Sequence, residues 1–413
     1  MYEEGGAGNV VGAACATGNC NQRVAADGIY SARRVLGALR NSTWATTDPA
    51  EACVFVPNVD GNTPLRARSA QMAHFFAHRL WRGGRNHLLF NFGDFAWHAF
   101  GLLSRVPFGR ALLAQASAGG RAFWPNFDVS MGLPPTAAFS ARTGGASSWR
   151  DPEQLAHARA RPLWLSFLGK PDTAWRSALA KEPAGSVLAH RKVLFQDAGD
   201  KDRRQVRPQL QLWRGRGSNY YDDLLANSTF ALCPEGEGRA SYRVAEALRL
   251  GAIPVIVAGR GGKRAEPGGS GVSGYVLPFS DGAPTVPWGI LFDSDGVGGA
   301  PTMGTILAKL QAMTAVEVDT MQRSGAGVFR RCFESTEKVV LCVIAQIAAR
   351  VKRALDLERE QEQQDGSSGS GFGAREDSIR PLNSERSVMC KHRTDHYCHY
   401  KTLLVVRSGG RLV

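Results

Sequence analysis

The stretch at residues 230–257 constrains the fold of this 413-residue chain more than any other. Residues 230–233 are apolar and of strand length, and a Pro-Glu-Gly-Glu-Gly loop follows them. Residues 241–250 carry apolar side chains at helical spacing, and Gly251 stands where a helix should end. A second apolar run at 253–257 predicts a second buried strand. This order predicts one βαβ unit, whose loop and helix N-terminus should face a ligand crevice and favour a phosphate group.

Further strand and helix patterns before this unit predict an α/β protein with parallel sheets. Apolar runs at 52–57 and 87–92 flank a helical pattern of basic and apolar residues at 66–81. Because strand, helix and strand follow one another, the two strands should pair in parallel. Proline, glycine and serine clusters between residues 133 and 160 indicate a linker, which places a domain boundary near residue 155.

The residues of the central unit also resemble the signature of the exostosin family of glycosyltransferases. The pattern Ser-Thr-Phe-x-Leu-x-Pro-x-Gly is followed by Ser-x-Arg-x-x-Glu-Ala and by Ile-Pro-Val-Ile. In this chain the pattern falls on Ser228, Thr229, Phe230, Leu232, Pro234, Gly236, Ser241, Arg243, Glu246, Ala247 and Ile253–Ile256. Segments at 52–56, 84–91 and 125–130 resemble the first half of the exostosin domain. The resemblance extends over roughly residues 48–350.

The resemblance implies a fold and a division of the chain into parts. It implies two facing Rossmann-like α/β domains in the GT-B arrangement, at 1–155 on the acceptor side and at 156–325 for the nucleotide sugar. An amphipathic helix with one apolar stripe at 329–347 is expected within 326–356, where it would cross back to the first domain as a clasp. The polar and glycine-rich remainder, 357–413, is expected to be a disordered tail.

For function, the resemblance implies an inverting, metal-independent transferase. Its donor would be a UDP-sugar, with glucuronic acid suggested by the exostosin relatives, and its acceptor a polysaccharide or proteoglycan glycan. Without a metal, cationic side chains and helix N-termini must stabilise the diphosphate leaving group. The expected donor-binding residues follow two strands: Gly169, Lys170 and Arg176 after one, and Ser241, Arg243 and Glu246 after the other. The alternative for Lys170 and Arg176 is ordinary surface charge. For Arg243 it is a structural salt bridge with Glu246, three positions away.

An inverting mechanism also needs a general base on the acceptor side. Asp128 is the first candidate, because its apolar neighbours favour a raised pKa. Asp94, at a strand end, is the second, and the alternative for both is a turn cap. The sequence predicts no metal site and no cofactor. The Asp-Ser-Asp at 293–295 lies in a Gly-rich loop and is interpreted as a turn, and the Cys and His residues at 390–399 fit no familiar zinc-finger spacing.

The chain has 50 basic and 37 acidic residues, and its net charge of +13 limits the classes of partner that it is expected to bind. It fits nucleic acid, an anionic membrane surface or an acidic glycan, and also an arginine-rich surface without a specific partner. Basic and aromatic residues do not alternate as in a single-strand binder, so nucleic acid is the weaker choice. The expected partners are therefore a UDP-sugar donor, a glycan acceptor and a related glycosyltransferase in a homo- or hetero-oligomer.

The chain departs from the resemblance at Glu235 and Glu237, where vertebrate exostosins carry arginines. Acidic side chains beside a diphosphate site repel it, although Arg239 follows shortly after. Two alternatives to the transferase therefore stay open. One is a catalytically inactive exostosin-like scaffold that binds another glycosyltransferase, and the other is a basic nucleic-acid-binding protein.

Cysteine spacing and apolar runs give the remaining expectations. Cys332 and Cys342 are expected to lie too far apart along one helix to bond each other. No apolar run reaches the roughly 18 residues that a bilayer span requires. The N-terminal segment shows no signal peptide. The resemblance implies the lumenal side of the Golgi membrane, a setting that in this family normally depends on an N-terminal anchor.

Overall fold

The chain forms an α/β structure with two parallel sheets. The computed structural model describes residues 32–46, 52, 54–57, 77, 81–84, 86–93, 110–116, 118, 123, 127–143, 161–169, 193–197, 220–235, 240–258, 275–280, 286–293 and 301–367. The strands of these residues are β1 (Leu88–Asn91), β2 (Leu112–Gln115), β3 (Val129–Ser130), β4 (Leu163–Gly169), β5 (Val193–Asp197), β6 (Ser228–Pro234), β7 (Ile253–Ala258) and β8 (Ile290–Asp293). The α-helices are α1 (Ala32–Arg40), α2 (Ala137–Thr143), α3 (Tyr220–Ala226), α4 (Arg243–Arg249), α5 (Met303–Gln311), α6 (Ala315–Val328) and α7 (Thr336–Ser367). A 3-10 turn (Arg82–Gly84) precedes β1, and a π-helix (Phe329–Phe333) lies between α6 and α7.

The first sheet has the order β1-β2-β3, and its strands are parallel. Phe55 forms a parallel bridge with His87, so the apolar run at 52–57 lies beside β1 as the sequence predicts. The strand residues are buried because apolar side chains of this sheet pack against α1 and the first half of α7. Parallel pairing in the first half of the chain is thus confirmed.

The second sheet has the order β5-β4-β6-β7-β8, and all of its strands are parallel. Successive side chains of β6 enter different cores. Ala231 and Cys233 pack with α4 and the π-helix, whereas Phe230 and Leu232 pack with α5. A strand buried on both faces needs apolar side chains at every position, which explains the continuous apolar run.

The predicted βαβ unit is confirmed as β6, α4 and β7. The two strands pair directly, from Phe230 with Ile253 to Pro234 with Val257. Helix α4 begins at Arg243, two residues later than its apolar pattern suggests, and Gly251 follows it with φ of 72°. A residue with a Cβ is strained in that left-handed region, so glycine is required at this helix end.

Helix α2 lies in the segment where the sequence suggests a linker. Its Phe139 is buried in the core that contains α4, so this part of the chain already packs with the second sheet. Thr143 O also accepts a hydrogen bond from Arg249 Nη2 (3.2 Å), which joins the end of α2 to α4. The chain therefore reaches the second core well before residue 155.

The π-helix and α7 join the two cores. Phe329 and Phe333 are buried in the second core, whereas α7 places Val339 and Val343 in the first. Arg350 Nη1 on α7 donates to the carbonyl oxygens of the two residues that precede β3, at 3.0 Å each. Although α7 has 32 residues, neither it nor any other helix in the described residues is apolar enough over its length to cross a membrane.

Helix α7 is longer than its apolar pattern indicates. It reaches Ser367, so residues 357–367 of the segment expected to be a disordered tail are helical. This end of the helix carries Arg359 and Asp356 in an i,i+3 pair 3.8 Å apart. Polar residues of high helix propensity can extend a helix whose first turns are anchored by packing, even where the extension buries little surface.

The expectation for Cys332 and Cys342 is wrong, because the two residues form a disulfide. Ten residues along a straight α-helix would separate their Cα atoms by about 15 Å, but the observed Cα–Cα distance is 5.3 Å. The single predicted helix is interrupted: Glu334 N–H donates to Phe329 O in a π turn, and α7 starts only at Thr336. The resulting bend brings the two cysteines together and ties the π-helix to α7.

Candidate donor-binding site

The start of α4 is the centre of the candidate site. Strand β6 ends at Pro234, and Glu235 N–H donates to Val257 O (2.9 Å), which keeps the chain beside β7 at this point. The Glu235 side chain is buried, whereas residues 236–239, including Glu237 and Arg239, lie outside the described residues. Ser241 Oγ accepts a hydrogen bond from Arg243 N–H (3.3 Å), so this hydroxyl serves the first turn of the helix.

Arg243 links the two strand ends that the sequence analysis selected. Its guanidinium carbon lies 5.5 Å from the ring centroid of Phe167, a cation–π contact on β4. Phe167 is two residues before Gly169, where β4 ends. The side chain of Arg243 therefore lies beside the carboxyl end of β4, the edge of a parallel sheet at which ligands bind. Lys170 and Arg176, which follow this strand, lie outside the described residues.

Glu246 is a buried carboxylate held by two hydroxyl groups. Tyr221 Oη donates to Oε2 (2.7 Å), and Thr136 Oγ1 donates to Oε1 (3.3 Å). The residue is 6% exposed. Among the described residues, the salt bridge between Arg243 and Glu246 that was the alternative does not form; Arg243 lies over Phe167 instead.

Burial dominates the titration of this group. It raises the pKa of Glu246, against the opposing effects of the Tyr221 hydroxyl, the positive charge of Arg243 and the Thr136 hydroxyl. Burial also raises the pKa of Tyr221 well above its usual value, and the neighbouring Glu246 charge adds to this. Tyr221 therefore stays a hydrogen-bond donor throughout the physiological range. A carboxyl with a raised pKa beside an arginine is typical of functional sites, although structural networks also produce it.

Asp128, the candidate base, lies directly before β3 of the first sheet. Its Oδ1 accepts a hydrogen bond from Leu113 N–H on β2 (3.0 Å), and the residue is 1% exposed. This contact joins β2 to the turn that leads into β3, which is a structural role. Asp94, the second candidate, lies outside the described residues.

Two site residues escaped the sequence analysis. Tyr221 belongs to α3, and Thr136 follows the Pro-Pro pair at 134–135. No spacing rule connects either of them to Glu246, since they are 25 and 110 residues away from it. A hydroxyl side chain near a short polar or proline-containing segment is too common in sequences to select either residue.

The described residues contain no group of three or more His, Cys, Asp or Glu side chains placed to hold a metal ion. Strand β8 ends at Asp293, while Ser294, Asp295 and the Cys and His residues at 390–399 lie outside the described part of the chain.

Comparison with known proteins identifies the family. The model of the exostosin GT47 domain matches residues 17–288. The chain is similar to exostosin-1 of Bos taurus, at 27% identity over 336 residues, which cover 78% of this chain and 41% of that protein. It is also similar to exostosin-1a of Danio rerio, at 26% identity over 333 residues, which cover 78% of this chain and 42% of that protein. The chain thus spans about two fifths of the length of these relatives. It belongs to the exostosin GT47 family of glycosyltransferases.

Proposed function

We propose that this chain transfers a sugar from a UDP-sugar donor to a glycan acceptor, with inversion and without a metal ion. The observation that carries the proposal is the position of Arg243. It is the first residue of α4, and its guanidinium carbon lies 5.5 Å from the ring centroid of Phe167, two residues before the end of β4. Diphosphates bind at such strand ends, where helix N-termini and arginines supply positive charge.

The proposed roles follow from what the leaving group needs. As the bond to the sugar breaks, negative charge grows on the diphosphate, and Arg243 would stabilise it together with Lys170 and Arg176. The backbone at Gly169 and Ser241 would border the same group. Glu246 would accept hydrogen bonds from the ribose hydroxyls, because an ionised carboxylate offers acceptors and no donor.

Asp128 is retained as the proposed general base on the acceptor side. To act, its carboxylate would have to reach an acceptor hydroxyl while its Oδ1 accepts a hydrogen bond from Leu113 N–H. The Asp128→Asn variant separates the two roles, because its side-chain oxygen can still accept from Leu113. Loss of transfer with an unchanged melting temperature would support the base, and unchanged transfer would eliminate it.

The finer assignments are proposals from the same resemblance. UDP-glucuronic acid is the first donor to test, and the acceptor would be a polysaccharide or proteoglycan glycan. The proposed setting is the lumenal side of the Golgi membrane, with a related glycosyltransferase as a partner in a homo- or hetero-oligomer.

The Arg243→Ala variant tests the proposal most directly. We expect it to weaken UDP binding about tenfold, since a charge-assisted hydrogen bond to a phosphate contributes roughly 1.5 kcal/mol. Isothermal titration calorimetry with UDP, with and without EDTA, measures the change. A screen of UDP-sugars for transfer and for hydrolysis then identifies the donor.

Arg323→Ala is the matched control. It also removes one positive charge, but from an exposed i,i+4 ion pair with Asp319 on α6. We expect it to bind UDP like the wild type. If the wild type fails to bind UDP, the transferase proposal fails. Binding of UDP without hydrolysis or transfer would favour the inactive scaffold. Affinity for nucleic acid that falls steeply with salt would favour the nucleic-acid-binding protein.

A further inference from the structure

The carboxylate of Glu246 receives one hydrogen bond on each of its oxygens. Tyr221 reaches Oε2 from α3, and Thr136 reaches Oε1 from the residue before α2. A carboxylate has about four lone-pair positions. Among the described residues, these two contacts use one position on each oxygen and leave a second position on each. A pair of neighbouring hydroxyl groups requires two such acceptors.

The first turn of α2 holds both hydroxyl groups in place. Phe139 N–H donates to Thr136 Oγ1 (3.2 Å), which fixes the Thr136 side chain as the cap of that helix. The ring of Phe139 meets the ring of Tyr221 edge to face, with centroids 6.3 Å apart. Phe139 itself is fully buried in the core that contains α4. The two donors are thus supported by one packed residue rather than by mobile surface groups.

We propose that Tyr221 and Thr136 are positioning residues that orient the Glu246 carboxylate to accept the two neighbouring hydroxyls of a ribonucleotide. The proposal rests on the proposed function, in which Glu246 contacts the ribose of the donor. Neither residue touches the ligand. Each acts through Glu246, by preventing rotation of the carboxylate about its last side-chain bond.

The charges around Glu246 decide how its ligand binding should vary with pH. Burial raises its pKa most, Arg243 on α4 lowers it, and Asp222 on α3 raises it. Burial and Glu246 raise the pKa of Tyr221, and Cys233 on β6 adds to this rise. Since the hydrogen bond from Tyr221 favours the ionised form, its loss should leave Glu246 protonated up to a higher pH. As the pH is lowered, affinity for a diol would then begin to fall at a higher pH than in the wild type.

The test compares UDP with 2′-deoxy-UDP as probes, in the wild type and in Tyr221→Phe. Both probes carry the same diphosphate, so the ratio of their dissociation constants isolates the missing hydroxyl. In the wild type we expect UDP to bind about tenfold more tightly than 2′-deoxy-UDP, the size of a hydrogen bond to a charged group. In Tyr221→Phe the ratio should fall to roughly threefold. On acidification, the ratio should also begin to decline at a higher pH than in the wild type.

Variants of Thr136 supply the controls. Thr136→Val removes the donor and should reduce the ratio, whereas Thr136→Ser keeps the hydroxyl and should restore it. Thr143→Val removes a buried hydroxyl at the end of α2, which donates a hydrogen bond to Phe139 O. This variant should leave the ratio unchanged. Wild-type ratios and pH profiles in both Tyr221→Phe and Thr136→Val would overturn the positioning role while leaving the proposed function intact. Absence of UDP binding by the wild type would overturn both.

Discussion

Gly132→Ala is expected to lower the free energy of unfolding by about 3 kcal/mol, the upper part of the range for overpacking a core. A Cβ at residue 132 would lie 2.8 Å from Cζ of Phe333 and closer still to two other ring carbons. The ring cannot move aside easily, because Phe279 and Trp288 contact it edge to face, with centroids 5.3 and 5.5 Å away. Phe333 belongs to the π-helix, so the overlap would separate this part of the clasp from the chain that follows β3.

Thermal and urea denaturation measure this effect, and the melting temperature should fall by about 3–4 °C. Gly37→Ala is the control, because Gly37 lies within α1 and its new Cβ would have no described atom within 4 Å apart from its chain neighbours and the backbone of its own helix. It should stabilise the protein slightly. Phe333→Leu in the Gly132→Ala background should recover part of the loss, because the shorter side chain vacates the ring position. A Gly132→Ala protein that melts like the wild type would mean that residue 132 and Phe333 are not in contact.

The central βαβ unit could be predicted because its signals are local. Continuous apolar runs at 230–233 and 253–257 require burial on both faces, and the second sheet provides it. Gly251 marks the helix end because its φ of 72° is unfavourable for other residues. These properties depend on a few neighbouring residues, so the sequence specifies them without knowledge of the rest of the chain.

The break between the π-helix and α7 could not be predicted from periodicity. Phe329, Cys332, Phe333, Val339 and Val343 continue one apolar stripe along the sequence, but the first three pack in the second core and the last two in the first. A π turn and a short bend change the direction of the chain while keeping apolar residues at nearly helical spacing. The disulfide expectation failed for the same reason, since it assumed a straight helix.

The hydrogen-bond partners of Glu246 illustrate a second limit of prediction from the sequence. Its place on α4 beside Arg243 follows from the motif, and the structure confirms that both belong to this short helix. Which hydroxyl groups would meet its carboxylate depends on how α2 and α3 pack against α4, through contacts that span up to 110 residues. Such long-range contacts leave no local pattern. The same packing joins the chain that leaves β3 to the proposed donor helix, so the first sheet and the donor site share α2 as a connection.

Glu246→Gln is expected to weaken UDP binding about thirtyfold while leaving the folded protein at least as stable as the wild type. The carboxamide has a single acceptor oxygen and no charge, so it would lose roughly 2 kcal/mol of hydrogen bonding to a diol. The free energy of unfolding should not fall. Burial raises the pKa of Glu246 in the folded state above its ordinary value, so the folded protein holds this proton more tightly than the unfolded chain. Its contribution to stability is therefore fully present at acidic pH and is lost as pH rises through the raised pKa.

Glutamine does not ionise, so the variant should not lose stability at this position as the pH rises. Its carboxamide can still form hydrogen bonds with the hydroxyl groups of Tyr221 and Thr136. Melting temperatures between pH 4 and pH 8 should accordingly decline less for Glu246→Gln than for the wild type as pH increases. Calorimetry with UDP at neutral pH gives the affinity of the same samples. A variant that loses both stability and UDP binding would show that the charge of Glu246 holds the fold together, whereas full retention of binding would remove Glu246 from the proposed site. Weaker binding together with equal or greater stability is the result expected of a buried charge that is retained for a ligand and not for the fold.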